Sequence, residues 1–255
     1  MTNKEYHSHS AISKSRLNTI GTSPLHFKWE QDNQKEDTAS FAFGRAAHKW
    51  ILEKSTFFDE FAIMPKYNLR TTIGKEQKAV FMDNNENKEI IDETQFEEIK
   101  QMDLAITAHP TARKLLTGRI EQSFFWTDTD TNESCKCRPD VINDELNVLV
   151  DYKSAQSCQD GHFERDARRY GYDLQAGMYC EGLMQCEFEN FGFAFVAQEK
   201  KPPYAVRVYM CDTGFIEQGY DKFREYISIY HECKVSGNWY GYEGELSVET
   251  TLFGE

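Results

Sequence analysis

The chain has 255 residues, enough for one large domain, and no internal repeat or linker rich in proline and glycine divides it. With 40% hydrophobic residues a packed core is expected, and disorder is an option only for the ends and for the polar stretch 75–88. The net charge of −13 excludes a protein that coats nucleic acid with a uniformly basic surface. Residues 1–9 lack a signal-peptide core, and no apolar run approaches the roughly 18 residues that cross a bilayer. We therefore expect a soluble, cytoplasmic protein.

The seven cysteines form no evident disulfide framework, because their number is odd and the chain shows no secretory signal. They lie at positions 135, 137, 158, 180, 186, 211 and 233. Zinc and iron–sulfur sites favour pairs with two intervening residues, whereas Cys135 and Cys137 are separated by one and would point to one face of a strand. We expect reduced thiols.

The first part of the chain, about 10–116, is predicted to be mainly helical. Residues 10–17 indicate the start of a short helix with a serine N-cap, which Ser23-Pro24 would end. Residues 41–54 predict a stronger helix, and 57–63 a strand closed by Pro65. Helical spacing returns over 94–116.

The character changes after Gly118, and the pattern of the second part, about 118–233, predicts a catalytic core. Three consecutive strands are predicted at 121–127, 134–142 and 147–154, the last two joined by a turn at Asn143-Asp144-Glu145. A long helix at 163–184, a strand pair at 191–197 and 204–211 and a helix at 215–233 would follow. This order indicates a single α/β domain with a central mixed β-sheet flanked by helices.

The most informative residues are Asp140, Asp151 and Lys153, on two strands joined by a short turn. Because side chains alternate along a strand, Asp151 and Lys153 point to one face and Tyr152 to the other. Two clustered carboxylates repel unless a cation lies between them, and oxygen ligands select Mg²⁺ or Mn²⁺. An ordinary surface ion pair is the alternative. The apolar run 148–150 favours a central strand, where charged side chains require a reason.

These motifs resemble the PD-(D/E)xK nucleases. Arg138-Pro139-Asp140, followed after a hairpin by Asp151-Tyr152-Lys153, matches the signature of that superfamily. The segment Gly44 to His48 resembles the G-x-x-x-H helix of its RecB-type branch, and Gln175 to Tyr179 resembles the Q-x-x-x-Y helix. The phrases SAISKSRL, FGRAAHKWILE and FVAQEKKPPYAVRVY are similar to the RecE-type (exodeoxyribonuclease VIII) nuclease domains and their phage relatives. The resemblance covers residues from about 9 to 242 and implies a restriction-endonuclease-like core.

The resemblance also implies roles for individual residues. Asp140, Asp151, His48 and the main-chain carbonyl of Tyr152 would bind Mg²⁺, for which Mn²⁺ would substitute, and Lys153 would be the catalytic lysine. Glu121 would be an additional acid, whereas Gln175 and Tyr179 would line the cleft, though simple packing is their alternative. For His48, Gly44 would permit a close backbone approach.

Basic residues near these motifs are candidates for contacting DNA, with an ordinary solvated surface as the alternative. They are Lys14, Arg16, Arg45, Arg165, Arg168 and Arg169. Lys14 and Arg16 lie at the start of the first helix, where anions are favoured.

The resemblance implies an enzyme that degrades linear double-stranded DNA from its ends, 5′ to 3′, leaving 3′ single strands for recombination in a bacterial or phage-infected cell. A single-strand- or structure-specific nuclease of the same fold and a catalytically inactive DNA-binding accessory protein are the alternatives. The expected partners are double-stranded DNA ends and a RecT-like single-strand annealing protein. A ring of subunits, a tetramer in the resembling family, would keep an acidic enzyme on its DNA.

Overall fold

Helices and short strands alternate along the chain. The computed structural model describes residues 1, 3–33, 39–188 and 191–242. The helices are α1 (Asn3–Ser8), α2 (Lys14–Thr22), α3 (Pro24–Asp32), α4 (Ala39–Leu52), α5 (Phe57–Glu60), α6 (Thr72–Asn84), α7 (Glu93–Ala108), α8 (Pro110–Leu115), α9 (Asp160–Tyr170), α10 (Tyr172–Gln185) and α11 (Thr213–Ser236). The strands are β1 (Phe61–Met64), β2 (Glu89–Asp92), β3 (Arg119–Ile120), β4 (Phe124–Thr127), β5 (Ser134–Cys137), β6 (Val141–Asn143), β7 (Val148–Ala155), β8 (Gly192–Glu199) and β9 (Val206–Met210).

A five-stranded sheet in the order β3-β6-β7-β8-β9 forms the centre. The β7–β8 pair is parallel and the other three pairs are antiparallel, so the sheet is mixed. Residues 148–152 of β7 are all buried, as expected for a central strand. Two smaller sheets accompany it, a parallel β1–β2 pair and an antiparallel β4–β5 hairpin. The predicted α/β class, with a mixed sheet flanked by helices, is confirmed.

Each face of β7 faces its own hydrophobic core. Leu149 and Ala155 belong to a core with residues of α2, α3, α9, α10, α11 and the β4–β5 hairpin. Val148, Val150 and Tyr152 belong to a second core with α4, α5, α7 and α8. Because α2 and α3 pack in the first core, the two parts of the chain interleave around the sheet.

Helix ends follow local side-chain chemistry. Asp92 caps α7 in a capping box with Gln95, which satisfies two backbone donors that have no partner within the helix. The Ser23 side chain accepts from the amide of His26, and Pro24 is the first residue of α3. Ser23-Pro24 therefore ends one helix, as predicted, and begins another.

The strand prediction was wrong in the region that precedes β7. The range 134–142 divides into β5 and β6, which lie in different sheets, and Arg138-Pro139-Asp140 links them. Proline donates no backbone hydrogen bond and favours a break in a ladder. Of the range 121–127 only 124–127 is a strand, β4, because β3 already ends at Ile120.

The single helix predicted over 163–184 was also wrong, because α9 ends and α10 begins at Gly171. Gly171 has φ +61°, and a Cβ there would lie 2.2 Å from Asn18 Oδ1. Helices α10 and α11 then cross closely at Gly177 and Gly219. A Cβ on Gly177 would lie 2.1 Å from the Tyr220 amide nitrogen, so the crossing requires glycine.

The N-terminal part differs from the prediction in three places. Helix α6 (Thr72–Asn84) includes residues 75–84 of the stretch for which disorder was an option. Residues 57–60 are helical rather than extended, and β1 and β2 interrupt the helices. Ile12 makes a parallel bridge to Cys135, so the helix predicted from residue 10 begins only at Lys14, as α2. All seven cysteines are free thiols. No helix in the described ranges combines the length and apolarity needed to cross a membrane.

Candidate active site

Three carboxylates meet beside strand β6: Glu121 directly follows β3, Asp140 directly precedes β6, and Asp151 lies within β7. Val141 of β6 pairs with Ile120 of β3 on one side and with Val150 of β7 on the other. Each of these three paired residues has an acid as its neighbour in the chain: Asp140 before Val141, Glu121 after Ile120 and Asp151 after Val150. The Glu121 amide donates to the Asp140 carbonyl at 3.0 Å. On the β7 side, the Tyr152 amide donates to Asp140 Oδ2 at 2.7 Å. Strand pairing therefore brings together acids that are distant in sequence.

His48 approaches this row from α4, which covers the second core. Its Nε2 lies 3.0 Å from Asp140 Oδ2, and its Nδ1 lies 3.7 Å from Glu121 Oε1. Gly44 lies one helical turn earlier, but a Cβ there would make only an ordinary 3.8 Å contact with Ser154 Oγ. Close packing does not require this glycine, contrary to the reason we gave from the sequence.

Glu121 adopts a backbone conformation that is unusual for its residue type. Its φ is +52°, in the left-handed region, where non-glycine residues are strained by about 1–3 kcal/mol. The surrounding contacts hold it there: its amide is bonded to Asp140, and Arg138 Nε lies 3.9 Å from Glu121 Oε2. Such outliers concentrate at functional sites, which supports a role for Glu121 in the site.

Asp151 has different partners, which come from the other face of the sheet. Its Oδ1 contacts the Lys153 ammonium, and its Oδ2 accepts from the side-chain amide of Gln175 on α10. Oδ1 is buried and forms no directed hydrogen bond, although it lies against Lys153. One oxygen of this carboxylate is therefore able to accept a further ligand.

The side chains of His48, Glu121 and Asp140 fit a hard divalent cation, which prefers oxygen ligands. Within the described residues, His48, Glu121 and Asp140 form a group whose ligand atoms all lie within 4.8 Å of one another. One imidazole nitrogen and several carboxylate oxygens suit Mg²⁺ or Mn²⁺. Asp151 is not in this group; its Oδ1 lies against Lys153, and a part for it in holding the cation stays a prediction. The Tyr152 carbonyl stays a prediction; the Tyr152 side chain points to the opposite face, as expected, and its hydroxyl donates to Gln198 at 2.7 Å.

The pKa values show how strongly these groups interact. Burial and the neighbouring Asp140 raise the pKa of Glu121 to about 7. Burial alone would lower the pKa of His48, but Asp140 and Glu121 outweigh it and raise that pKa to about 9. Burial and the charge of Asp140 also raise the pKa of Asp151. Burial and neighbouring carboxylates thus disfavour the charged forms of Glu121 and Asp151, as their raised pKa values indicate.

Gln175 and Tyr179 both lie at the site. Gln175 is buried and hydrogen-bonded to Asp151, and Tyr179 packs edge-on against Phe193. Burial raises the pKa of the Tyr179 phenol well above its ordinary value, with added contributions from Tyr6, Asp151 and Asp140. Both residues therefore lie near the carboxylates, and their role in lining a cleft stays a prediction.

The predicted DNA-contacting residues of the N-terminal part differ in surroundings. Lys14 lies near Lys153: Lys14 Nζ and Lys153 Nζ lie 5.6 and 5.0 Å from the centre of the same Tyr172 ring. Burial and Lys153 together lower the pKa of Lys14 to about 7. Arg16 stacks on Phe27 at 4.6 Å, away from this ring. Arg45 is engaged by Glu89, with Nη2 2.6 Å from Oε2.

The three arginines of α9 remain available to solvent. Arg165, Arg168 and Arg169 are exposed, and none forms a salt bridge with another residue in the described part of the chain. Helix α9 ends beside the site, because its last carbonyl, that of Tyr170, accepts from Lys14 Nζ at 2.5 Å. Their contact with DNA stays a prediction.

Three residues near the site were given no role from the sequence. Arg138, within the Arg-Pro-Asp motif, is 8% exposed and faces Glu121. Tyr172 lies under two lysines, and Tyr6 lies under the Arg138 guanidinium. The place of Arg138 in the Arg-Pro-Asp motif could have indicated a role from the sequence. The two tyrosines gave none, because only folding brings them to the site.

The comparisons with known proteins agree with this geometry. The family described as PDDEXK-like domain of unknown function (DUF3799) matches residues 13–249. The fold is similar to the crystal structure of a candidate exonuclease from Eubacterium rectale, with TM-score 0.64 and 12% identity over 99% of this chain and 96% of that one.

A phage-related exonuclease from Haemophilus somnus 129PT covers 92% of this chain and 100% of its own at 13% identity, but its TM-score of 0.37 is too low to support an argument. No curated protein matches the sequence. The match over residues 13–249, together with the acidic row, the lysine and the mixed sheet, shows that the chain belongs to this family of PDDEXK-like, nuclease-type domains.

Proposed function

We propose that the protein is a Mg²⁺-dependent exodeoxyribonuclease that degrades linear double-stranded DNA from its ends, 5′ to 3′, and leaves 3′ single strands for recombination. One observation carries the nuclease activity. Glu121, Asp140 and His48 converge on one point, next to the stretch of β7 that carries Asp151 and Lys153. The end-directed action and its polarity are proposed from the resemblance to RecE-type nucleases.

The residues divide the chemistry of hydrolysis between them. A bound divalent cation would polarise the phosphate and lower the pKa of a water. His48, Glu121 and Asp140, with the open Oδ1 of Asp151, would hold that cation. Lys153 lies against Asp151, where its ammonium can orient the attacking water or offset charge that develops on the phosphate.

Buried Gln175 would orient the carboxylate of Asp151. Its amide donates to Asp151 Oδ2 and fixes the carboxylate so that Oδ1 faces the site. Supporting partners of this kind commonly affect metal affinity or activity by about 10- to 100-fold. Gln175 therefore acts through Asp151.

End-labelled DNA tests the proposed function. Linear duplex labelled at either 5′ or 3′ ends would be incubated with Mg²⁺, Mn²⁺, Ca²⁺ or excess EDTA, with closed circular duplex and single strands as parallel substrates. We expect release of 5′ mononucleotides from linear duplex with Mg²⁺ or Mn²⁺, none with EDTA and none from circles. Ca²⁺ should bind without supporting turnover, because its larger, looser coordination shell misplaces the water.

Each departure from that pattern identifies an alternative. Turnover in excess EDTA contradicts the metal site. Preferential cleavage of single strands or of branched duplexes identifies a nuclease of different specificity with the same fold. DNA binding without cleavage under every metal condition identifies an inactive accessory protein.

We also propose a ring-shaped homo-oligomer, because a chain of net charge −13 has little diffuse attraction for DNA. Enclosure would retain the duplex between successive cuts and would allow transfer of the 3′ strand to a RecT-like annealing protein. Light scattering should give a multimeric mass, and duplex in excess over enzyme should be digested one molecule at a time. A monomeric mass with evenly shortened substrate contradicts the ring.

A further inference from the structure

Helix α1 lies outside the family match but is fixed to the site. The match begins at residue 13, whereas α1 spans Asn3–Ser8. Tyr6 is only 7% exposed. The Lys136 ammonium donates to the carbonyls of Tyr6 and His9 at 2.5 and 2.8 Å. Such charge-assisted bonds to two carbonyls of one turn anchor the segment on β5.

Arg138 obtains much of its environment from α1. The guanidinium lies 4.2 Å from the centre of the Tyr6 ring, and Nη1 donates to Asn3 Oδ1 at 3.3 Å. Nε and Nη2 donate to Ser123 Oγ at 2.8 and 2.7 Å. A buried guanidinium is costly unless its donors and its charge are matched, and an aromatic face is worth about 0.5–2 kcal/mol to it.

Arg138 connects α1 to the candidate metal site. Among the lysines and arginines in the described part of the chain, Arg138 is the one that lies within 4.0 Å of the Glu121 carboxylate. Its Nε is 3.9 Å from Oε2. On the other side of that carboxylate, Oε1 lies 3.7 Å from His48 Nδ1. Glu121 is also held at a strained φ of +52°. A displaced Arg138 would leave this side chain free to turn away from His48 and Asp140.

We propose that Tyr6 is a positioning residue: its ring holds Arg138, which holds Glu121 in the metal-binding group, so that metal affinity depends on a segment outside the family match. The inference rests on the proposed function. The ring is the part that acts, because the contacts of Tyr6 with Arg138 and Lys136 involve its aromatic face and its main-chain carbonyl. Within the described ranges its hydroxyl forms no hydrogen bond.

Calorimetric titration of the full chain with Mn²⁺, without DNA, tests this proposal. Tyr6→Phe keeps the ring, and we expect its Mn²⁺ dissociation constant within about twofold of wild type. Tyr6→Leu removes the ring and should weaken Mn²⁺ binding about tenfold, in keeping with the loss of one buried cation–π contact. Nuclease activity of Tyr6→Leu should recover as Mn²⁺ is raised, since a positioning residue acts through metal occupancy.

The matched control is Tyr230→Leu, a similar loss of a tyrosine ring that lies beside a lysine but packs on Phe27 and Trp239. It should reduce thermal stability without changing the Mn²⁺ dissociation constant. If Tyr6→Leu does not fold, Asn3→Ala decides the question: it removes one exposed partner of Arg138 and should weaken Mn²⁺ binding about two- to threefold.

The outcomes separate the two proposals. A wild-type protein that binds no Mn²⁺ contradicts the proposed function itself. Wild-type binding that Tyr6→Leu or Asn3→Ala leaves unchanged overturns the role of α1 alone. Equal weakening in Tyr6→Phe and Tyr6→Leu also overturns it, because the hydroxyl would then be the active group.

Discussion

The acids of the site fall into two groups with different partners. In the first half of the site, Asp151 is paired by the Lys153 ammonium and the Gln175 amide. In the second half, Asp140 and Glu121 share one histidine, His48, and Arg138 lies 3.9 Å from Glu121. The pKa of Glu121 is accordingly raised to about 7 by burial and Asp140. Under the proposed function, the first half would act in catalysis and the second would bind a cation.

The largest expected effect comes from breaking the second half. Asp140→Ala removes the carboxylate that contacts His48 and the Tyr152 amide. We expect loss of Mn²⁺ binding by calorimetry and a fall in DNA cleavage of about a thousandfold or more, because the metal contributes several kcal/mol to the transition state. A variant that still binds Mn²⁺ with wild-type affinity would contradict the assignment of Asp140.

Breaking the first half should separate catalysis from metal binding. Lys153→Met removes the ammonium but leaves His48, Glu121 and Asp140 in place. We expect about a hundredfold or greater loss in the single-turnover rate at saturating Mg²⁺, with Mn²⁺ binding retained. If Lys153→Met cleaves like wild type, the lysine has no catalytic role.

Gln175 tests whether the first half depends on orientation. Gln175→Leu keeps the size and burial of the side chain and removes its hydrogen bond to Asp151. We expect about a 10- to 100-fold loss in rate, with Gln175→Glu at least as impaired because a fourth acid would be introduced. If the kinetics of Gln175→Leu are unchanged, Gln175 contributes to packing alone and does not orient Asp151.

Glu121 sharpens the comparison, since it belongs to the metal group and has no contact with Lys153. Glu121→Gln should raise the Mn²⁺ dissociation constant about tenfold, and excess metal should restore most of the rate. Asp151→Asn is the informative counterpart, because its rate should stay low in excess metal. Similar rescue of both variants would show that the two halves are not distinct.

The smallest effect is expected outside both halves. Replacing Arg165, Arg168 and Arg169 by glutamine should raise KM for duplex several-fold with kcat unchanged, and it should reduce the salt dependence of binding. An equal loss of charge at exposed Lys66, Arg70 and Lys75 near α6 provides the control. If both triple variants behave alike, the α9 arginines make no specific contact with DNA.

The sequence determined the central part of this site. Asp140, Asp151 and Lys153 flank a short turn between two strands, and strand alternation fixes their relative directions, so the sequence determines which of them face each other. The mixed sheet followed from the order of the periodic segments, and a motif on an apolar helix indicated His48. These features depend on residues close together in the chain or on one recognisable pattern.

Only the tertiary structure decided which acids share the metal group. Glu121 joins His48 and Asp140 because β3 pairs with β6, and its strained φ cannot be read from local sequence. The break at Gly171 and the tight α10–α11 crossing depend on contacts with Asn18 and Tyr220.

Tyr6 illustrates the same limit, since 132 positions separate it from Arg138 in the chain, and only the docking of α1 on β5 brings the two side chains together. Local sequence encodes strand direction and helix periodicity, whereas contacts between distant segments depend on packing that no local pattern specifies.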